Sequence, residues 1–224
     1  MIITFDIETI PTQCSDVVAR LAKTVKAPLN YKDEEKIQAY IAEKQKTVAD
    51  NTCLNGAYGE ILSIACAIDD LEPQVFCIDD LTFPDREKTI LTLFFLYIEE
   101  HYRVNRDLPP TWVGHNIVNF DIRFIYQRCI INQVKPFAHF PINKKPWDKA
   151  IFDTMTQWAG EKNAIRLDDL CFALSIPTPK TDLDGSKVWE YVQAGKINEV
   201  SEYNRQDVIA TRAVYRKMTF REGK

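Results

Sequence analysis

The run Ile61–Ile68 (ILSIACAI) is the feature that most constrains the fold. A short, continuous apolar run of this kind reads as a strand buried on both faces. The sheet that holds it needs cover on both sides. The flanking segments supply the other strands. Met1–Ile7 is β-branched and apolar and predicts a strand that Pro11 ends. Gln74–Ile78 is placed to pair with Ile61–Ile68 as a hairpin across Asp69–Pro73. Thr111–Gly114 and Ala150–Asp153 are two further short strands.

Helices are predicted over Ser15–Lys26, Asp33–Ala49, Asp85–Tyr102, Phe120–Asn132, Thr154–Ala159, Leu167–Ala173, Val188–Ala194 and Ile197–Met218. Hairpin strands come first, and strands alternating with helices follow. That order predicts an α/β domain with a mixed sheet. The chain of 224 residues reads as one domain, with no linker to split it. Residues 27–55 read as a helical insert.

Several function classes fall away on composition. Seven glycines are too few and too scattered for a G-x-G-x-x-G or Walker loop. The six cysteines form no C-x-x-C pair and only three histidines accompany them, so a zinc site is not expected and the thiols read as reduced and mostly buried. No apolar run reaches the roughly 18 residues of a membrane span. The N-terminal MIITFDIET lacks a basic n-region, so the expected location is cytoplasmic, with no membrane partner. A net charge of −4 excludes a basic nucleic-acid coat protein. It leaves open an enzyme that acts on nucleic acid through clustered acids.

Three groups of acids carry the chemistry. In Phe5-Asp6-Ile7-Glu8-Thr9, the two carboxylates are two residues apart on a strand and project from its end on one face. In Gly114-His115-Asn116-Ile117-Val118-Asn119-Phe120-Asp121, a strand ends, an Asn-rich turn follows, and an acid opens a helix. In Tyr203-Asn204-Arg205-Gln206-Asp207, a phenol and a carboxylate share a helix face at i, i+4. Each has an ordinary reading: two solvated acids, Asn119 as N-cap with Asp121 on the helix dipole, and an amphipathic rim. Together they put four acids and a tyrosine on a first strand, a mid-chain turn and a last helix. Hard oxygen ligands of this kind suit Mg²⁺ or Mn²⁺.

The order D-x-E, N-x-x-F-D, Y-x-x-x-D resembles the DEDD superfamily of 3′–5′ exonucleases, in its tyrosine branch. GHNIVNFD looks most like the proofreading exonuclease domain of family B DNA polymerases. AIRLDDLCFALSIP, KTDLDGSKVW and SEYNRQDVIATRAVY resemble the stand-alone bacterial predicted exonucleases related to that domain. The resemblance runs from Ile2 to about Tyr215. It implies an RNase H-like mixed sheet flanked by helices, and a single exonuclease domain over 1–224.

It also implies Asp6, Glu8, Asp121 and Asp207 as metal-binding acids, two Mg²⁺ or Mn²⁺ ions as cofactors, and Tyr203 orienting the attacking water. The implied partner is nucleic acid with single-stranded 3′ ends, DNA before RNA. Asn116 matches an asparagine of the second motif and would help place the substrate. His115 departs from that branch, which often has an aromatic there.

Phe120, Lys180 and Lys187 are further substrate-binding candidates, the lysines bracketing the TDLDG loop. Phe5, Tyr58, Phe124, Trp147, Arg123, Lys144, Lys145 and Lys149 are weaker ones, with core or solvated-loop readings beside them. Asp153 in FDT resembles a family position and reads equally as a helix N-cap for Thr154 onward, Asp182 and Asp184 read as turn residues, and His101 and His139 as structural. An exoribonuclease is the neighbouring alternative, and a binding module without turnover is another. A glycosidase is disfavoured, because Asp6 and Glu8 are too close in sequence to flank a sugar ring.

Overall fold

The computed structural model describes residues 1–104, 108–143, 148–178 and 182–221. Five strands form one mixed sheet: β1 (Ile2–Ile10), β2 (Glu60–Ile68), β3 (Gln74–Cys77), β4 (Thr111–Gly114) and β5 (Ile151–Asp153). Their spatial order is β3-β2-β1-β4-β5. β1 pairs antiparallel with β2 and parallel with β4, β2 pairs antiparallel with β3, and β4 runs parallel to β5. Eight α-helices lie among the described residues: α1 (Ser15–Ala22), α2 (Glu34–Asp50), α3 (Arg86–His101), α4 (Asp121–Ile131), α5 (Thr154–Ala159), α6 (Leu167–Ala173), α7 (Val188–Gln193) and α8 (Ile197–Met218).

Alternation along β1 sorts its side chains between two layers. Ile3, Phe5 and Ile7 enter the main core with Phe94 of α3 and Phe124 of α4. Phe5 sits at its centre, with ring centroids 6.2 Å from Phe94 and 5.6 Å from Trp112. Thr4, Asp6 and Glu8 take the opposite face, which α8 covers. Ala65 and Ala67 of β2 pack there against Val208 of α8, and their small side chains let the helix lie close to the sheet. β2 is buried from Ile61 to Ile68, as its apolar run predicts.

The β1–β2 register steps between Glu8 and Thr9. Glu8 faces Ser63 but Thr9 faces Ile61, so Leu62 is an extra residue on β2. A bulge re-aims side chains. Leu62 packs with α7 and α8, and Ser63 also turns toward α8.

β1 is longer than expected. Pairing with β2 carries it to Ile10, so Asp6 and Glu8 lie within the strand rather than at its end. They do lie past the end of the β4 ladder, whose last rung is Thr4–Val113. The excursion between β1 and β2 begins earlier than residue 27: it comprises α1, α2 and a 3₁₀ turn at Asn51–Leu54. Neither α1 nor α2 buries a residue. Thr12 N–H to Thr52 Oγ1 (2.9 Å) and Thr9 Oγ1 to the Cys53 carbonyl (2.7 Å) close its base.

Gly114 ends β4 where no side chain fits. A Cβ there would stand 1.9 Å from Ile117 Cγ2 and 3.0 Å from the Phe5 carbonyl oxygen. Gly114→Ala is expected to cost about 1–3 kcal/mol through overpacking. A thermal melt showing no loss would contradict this crowding.

Of the six cysteines, Cys66, Cys129 and Cys171 are buried, Cys53 and Cys77 half-buried and Cys14 exposed, all unpaired. Burial pushes the Cys129 thiol up to about 12 and Cys171 to about 11, so neither is a ready nucleophile.

Candidate active site

Asp6 and Glu8 meet the last helix on the α8 side of the sheet. The carboxylate oxygens of Asp6, Glu8 and Asp207 lie within 4.8 Å of one another. Glu8 is buried, whereas Asp6 and Asp207 are partly exposed. A set of three oxygen donors this close suits a hard divalent cation. Tyr203, one helical turn before Asp207, hydrogen-bonds to the Asp207 carboxylate.

Asp121 approaches from the side where β4 has ended. Its Oδ1 accepts the Ile7 backbone N–H at 3.1 Å, a donor that no β4 residue reaches. The carboxylate is buried but is not one of the three clustered acids. Its charge still acts on both Asp6 and Glu8. The expected cap at this helix is absent: Phe120 holds the N-cap position, with no side-chain capping bond, and Asn119 does not serve. Asp121 is drawn to β1 instead.

The electrostatics are those of crowded anions. Burial, then the charges of Asp121, Asp207 and Glu8, raise Asp6 well above the usual carboxylate range, against a hydrogen bond from Asn204. Burial and the charges of Asp207 and Asp121 do the same to Glu8. Burial lifts Asp207 to about 7, partly opposed by the Tyr203 hydrogen bond. Burial also lifts Asp121 to about 7, opposed by backbone N–H donors. Burial and the surrounding carboxylates keep the Tyr203 phenol protonated. Such a site gains from a cation placed among its carboxylates.

The turn that delivers Asp121 is held from β5. Asp153, fully buried, accepts from Asn116 N–H (2.9 Å) and Val118 N–H (3.1 Å), and also caps α5 through Met155 and Thr156. The capping reading of Asp153 therefore holds, and its second task is to clamp the 116–118 turn. Asn116 adopts φ +66°, and its Oδ1 accepts from Asn119 Nδ2. His115 bridges Thr154 Oγ1 and the Ile165 carbonyl, and burial lowers its pKa.

The sequence model of a family described as predicted 3′–5′ exonucleases related to the exonuclease domain of PolB matches residues 51–224. The chain belongs to that family. No curated protein matches it. The exonuclease has the α/β sheet and flanking helices that the resemblance implies. Membership implies a nucleic-acid substrate. Among the described residues, no helix is long and apolar enough to cross a membrane. The matched stretch begins after β1, so Asp6 and Glu8 lie outside it; the folded sheet brings them to Asp207 of the matched part.

One cavity reaches the exonuclease's acids at Asp207, and a second opens at the start of α4. The larger, about 950 Å³, is lined by Tyr203, Asp207, Phe172, Asp168 and Leu183 among others. The smaller, about 250 Å³, is lined by Asn55, Asn119, Phe120, Arg123 and Gln127. Phe120 is thus half-exposed beside Asp121, although its ring also packs on Phe124 at 5.4 Å. Phe5 and Phe124 are core residues, Tyr58 is half-buried and Lys149 exposed. Lys187 donates Nζ to the Asp182 carbonyl at 2.6 Å and so braces its own loop. Asp184 caps the turn at Ser186, as a turn residue should. Lys180, Lys144, Lys145 and Trp147 lie outside the described residues.

Sequence reasoning missed Asn204 and Ser63. Asn204 Nδ2 donates to Asp6 Oδ2 at 2.7 Å, and Ser63 Oγ bonds to Asn204 Oδ1 at 3.0 Å. A signal existed: Ser63 is the one polar residue in an apolar run that must be buried, and a buried hydroxyl needs a partner.

Proposed function

We propose that this exonuclease hydrolyses phosphodiester bonds at single-stranded DNA 3′ ends with two divalent cations, Mg²⁺ or Mn²⁺. The observation that carries the reading is the convergence of Asp6, Glu8 and Asp207 within 4.8 Å, beside a tyrosine kept protonated. Cations bound there would activate a water and offset charge on the leaving oxygen. Asp6, Glu8 and Asp207 hold the cations, and Asp121, fixed by Ile7 N–H, adds the fourth carboxylate.

Tyr203 gives its single O–H to Asp207 in this structure; with cations on that carboxylate the neutral phenol would turn its proton to the attacking water and orient it. The pocket of Phe120, Arg123, Asn119 and Gln127 offers a stacking face, a cation and amides to an unpaired nucleotide. Asn116, braced by Asp153, shapes the approach to it. The whole chain, 1–224, works as one exonuclease unit, with α1 and α2 as its insert.

The test is a time course on 5′-labelled single-stranded DNA and a matched RNA, with Mn²⁺, Mg²⁺ or EDTA. A ladder that shortens one nucleotide at a time from the 3′ end, with metal only, supports the reading. Faster RNA shortening would reassign the substrate to RNA, and binding without cleavage would make the chain a binding module. Tyr203→Phe is expected to lower kcat by about 10²-fold or more with KM little changed. An unchanged kcat would remove Tyr203 from the mechanism.

A further inference from the structure

The inner surface between α8 and β2 is apolar, with Ala65, Ala67 and Val208 meeting at full burial. Two polar side chains interrupt it. Asn204 on α8 is fully buried, and so is Ser63 on β2. An amide in a buried helix position is unfavourable both by propensity and by desolvation unless its polar atoms are partnered. Here they are, and in a line that ends on a single carboxylate. Ser63 Oγ bonds to Asn204 Oδ1 at 3.0 Å, and Asn204 Nδ2 donates to Asp6 Oδ2 at 2.7 Å.

The direction of the line follows from the cation. A carboxylate that holds a cation is ionised and only accepts, so the amide must present nitrogen to Asp6. The oxygen then faces Ser63, whose hydroxyl can donate to it. A flipped amide would set oxygen against oxygen at Asp6. The Leu62 bulge matters here, because the register step at Glu8/Thr9 accompanies the placement of Ser63 under α8.

We propose that Asn204 is a positioning residue of the metal centre: it ties one Asp6 oxygen to α8 and leaves the other to a cation, and Ser63 locks the amide in the orientation this needs. The proposal rests on the metal-centre reading above. Asn204 lies between Tyr203 and Asp207 on the same helix. It therefore couples the carboxylate of the first strand to the helix that brings the other donors. Partners outside the ligands themselves set ligand orientation in this way, and their loss costs about 10–100-fold in metal affinity.

The experiment is Mn²⁺ binding to the full chain, read from the free-ion electron paramagnetic resonance signal, without nucleic acid. Wild type, Asn204→Ala, Ser63→Ala and the double variant are compared, with circular dichroism reporting the fold. The expected result is a Kd about 10–100-fold weaker for Asn204→Ala and weaker, by less, for Ser63→Ala. The double variant is expected to be no worse than Asn204→Ala, because Ser63 acts only through the amide. A packing role alone would lower both melting temperatures without this non-additivity in Kd.

An unchanged Kd in folded Asn204→Ala, or strictly additive losses, overturns the proposal. Should Asn204→Ala not fold, Ser63→Ala decides alone, and an unchanged Kd there overturns it equally. Wild type that binds no Mn²⁺ overturns the metal-centre reading itself, an outcome distinct from wild type that binds and variants that bind as well.

Discussion

Asp207→Asn is expected to end nucleotide release while making the metal-free protein more stable. The two effects have one cause. Asp207 is held beside Asp6 and Glu8, and burial already lifts its carboxyl to about 7. Without a cation, the site forces like charges together in a poorly solvated corner. An amide of the same shape still accepts the Tyr203 hydrogen bond through its oxygen and removes one charge. The gain should be roughly 0.5–2 kcal/mol, in the range of other stabilising replacements at strained functional sites.

Catalysis moves the other way. An amide oxygen is a weaker cation ligand than a carboxylate, and electrostatic stabilisation lost at a reacting centre costs about 10²–10³-fold or more. The measurement is a thermal melt at pH 8 in EDTA and again in Mn²⁺, beside the labelled-DNA assay. Wild type should gain melting temperature on adding Mn²⁺, because an ion that binds only the folded state stabilises it. The variant should start higher in EDTA and gain less. A variant that melts lower in EDTA would show that the acids are not in electrostatic conflict. A variant that still cuts would take Asp207 out of the active site.

Legibility in the sequence followed from how local each determinant is. Thr154–Ala159 was readable to the residue because Asp153 caps it and Gly160, at φ +81°, stops it. β1 was underestimated by three residues because pairing with β2, not local propensity, carries it to Ile10. Asp6, Glu8, Asp121, Tyr203 and Asp207 could be picked out because each sits in a short patterned motif. Their differing places could not: only the early end of β4 leaves the Ile7 N–H for Asp121, and so sets it beside the triplet rather than in it. Asn204 carries no such mark, since helical period alone does not say which neighbour of Tyr203 is buried.

The pair Glu87 and Arg128 was the least readable feature, and the second large effect is expected there. In sequence both are ordinary charges on helices that flank apolar residues. In the fold both are buried, Glu87 6% and Arg128 8% exposed. Arg128 Nε and Nη2 grip the Glu87 carboxylate at 2.8 and 2.6 Å. Glu87 Oε1 also accepts the Ile61 N–H at 2.7 Å, and Oε2 accepts Asn132 Nδ2 at 2.7 Å. One carboxylate therefore joins α3, the start of β2 and α4.

Removing either partner leaves the other charge buried and unpaired, which costs about 3–5 kcal/mol. For a chain of this size that is roughly 6–20 °C of melting temperature. Glu87→Ala and Arg128→Ala should each show it, and Glu87→Leu with Arg128→Met should recover much of the loss, because an apolar pair leaves no orphan charge. At temperatures well below the melt, nucleotide release should persist in the single variants. Asp121 is anchored separately by Ile7 N–H, and the turn before it by Asp153, so α4 can lose its far anchor without releasing its Asp121 end. Loss of cleavage in a variant that remains folded would mean that the buried ion pair, and not these two clamps, sets the position of Asp121.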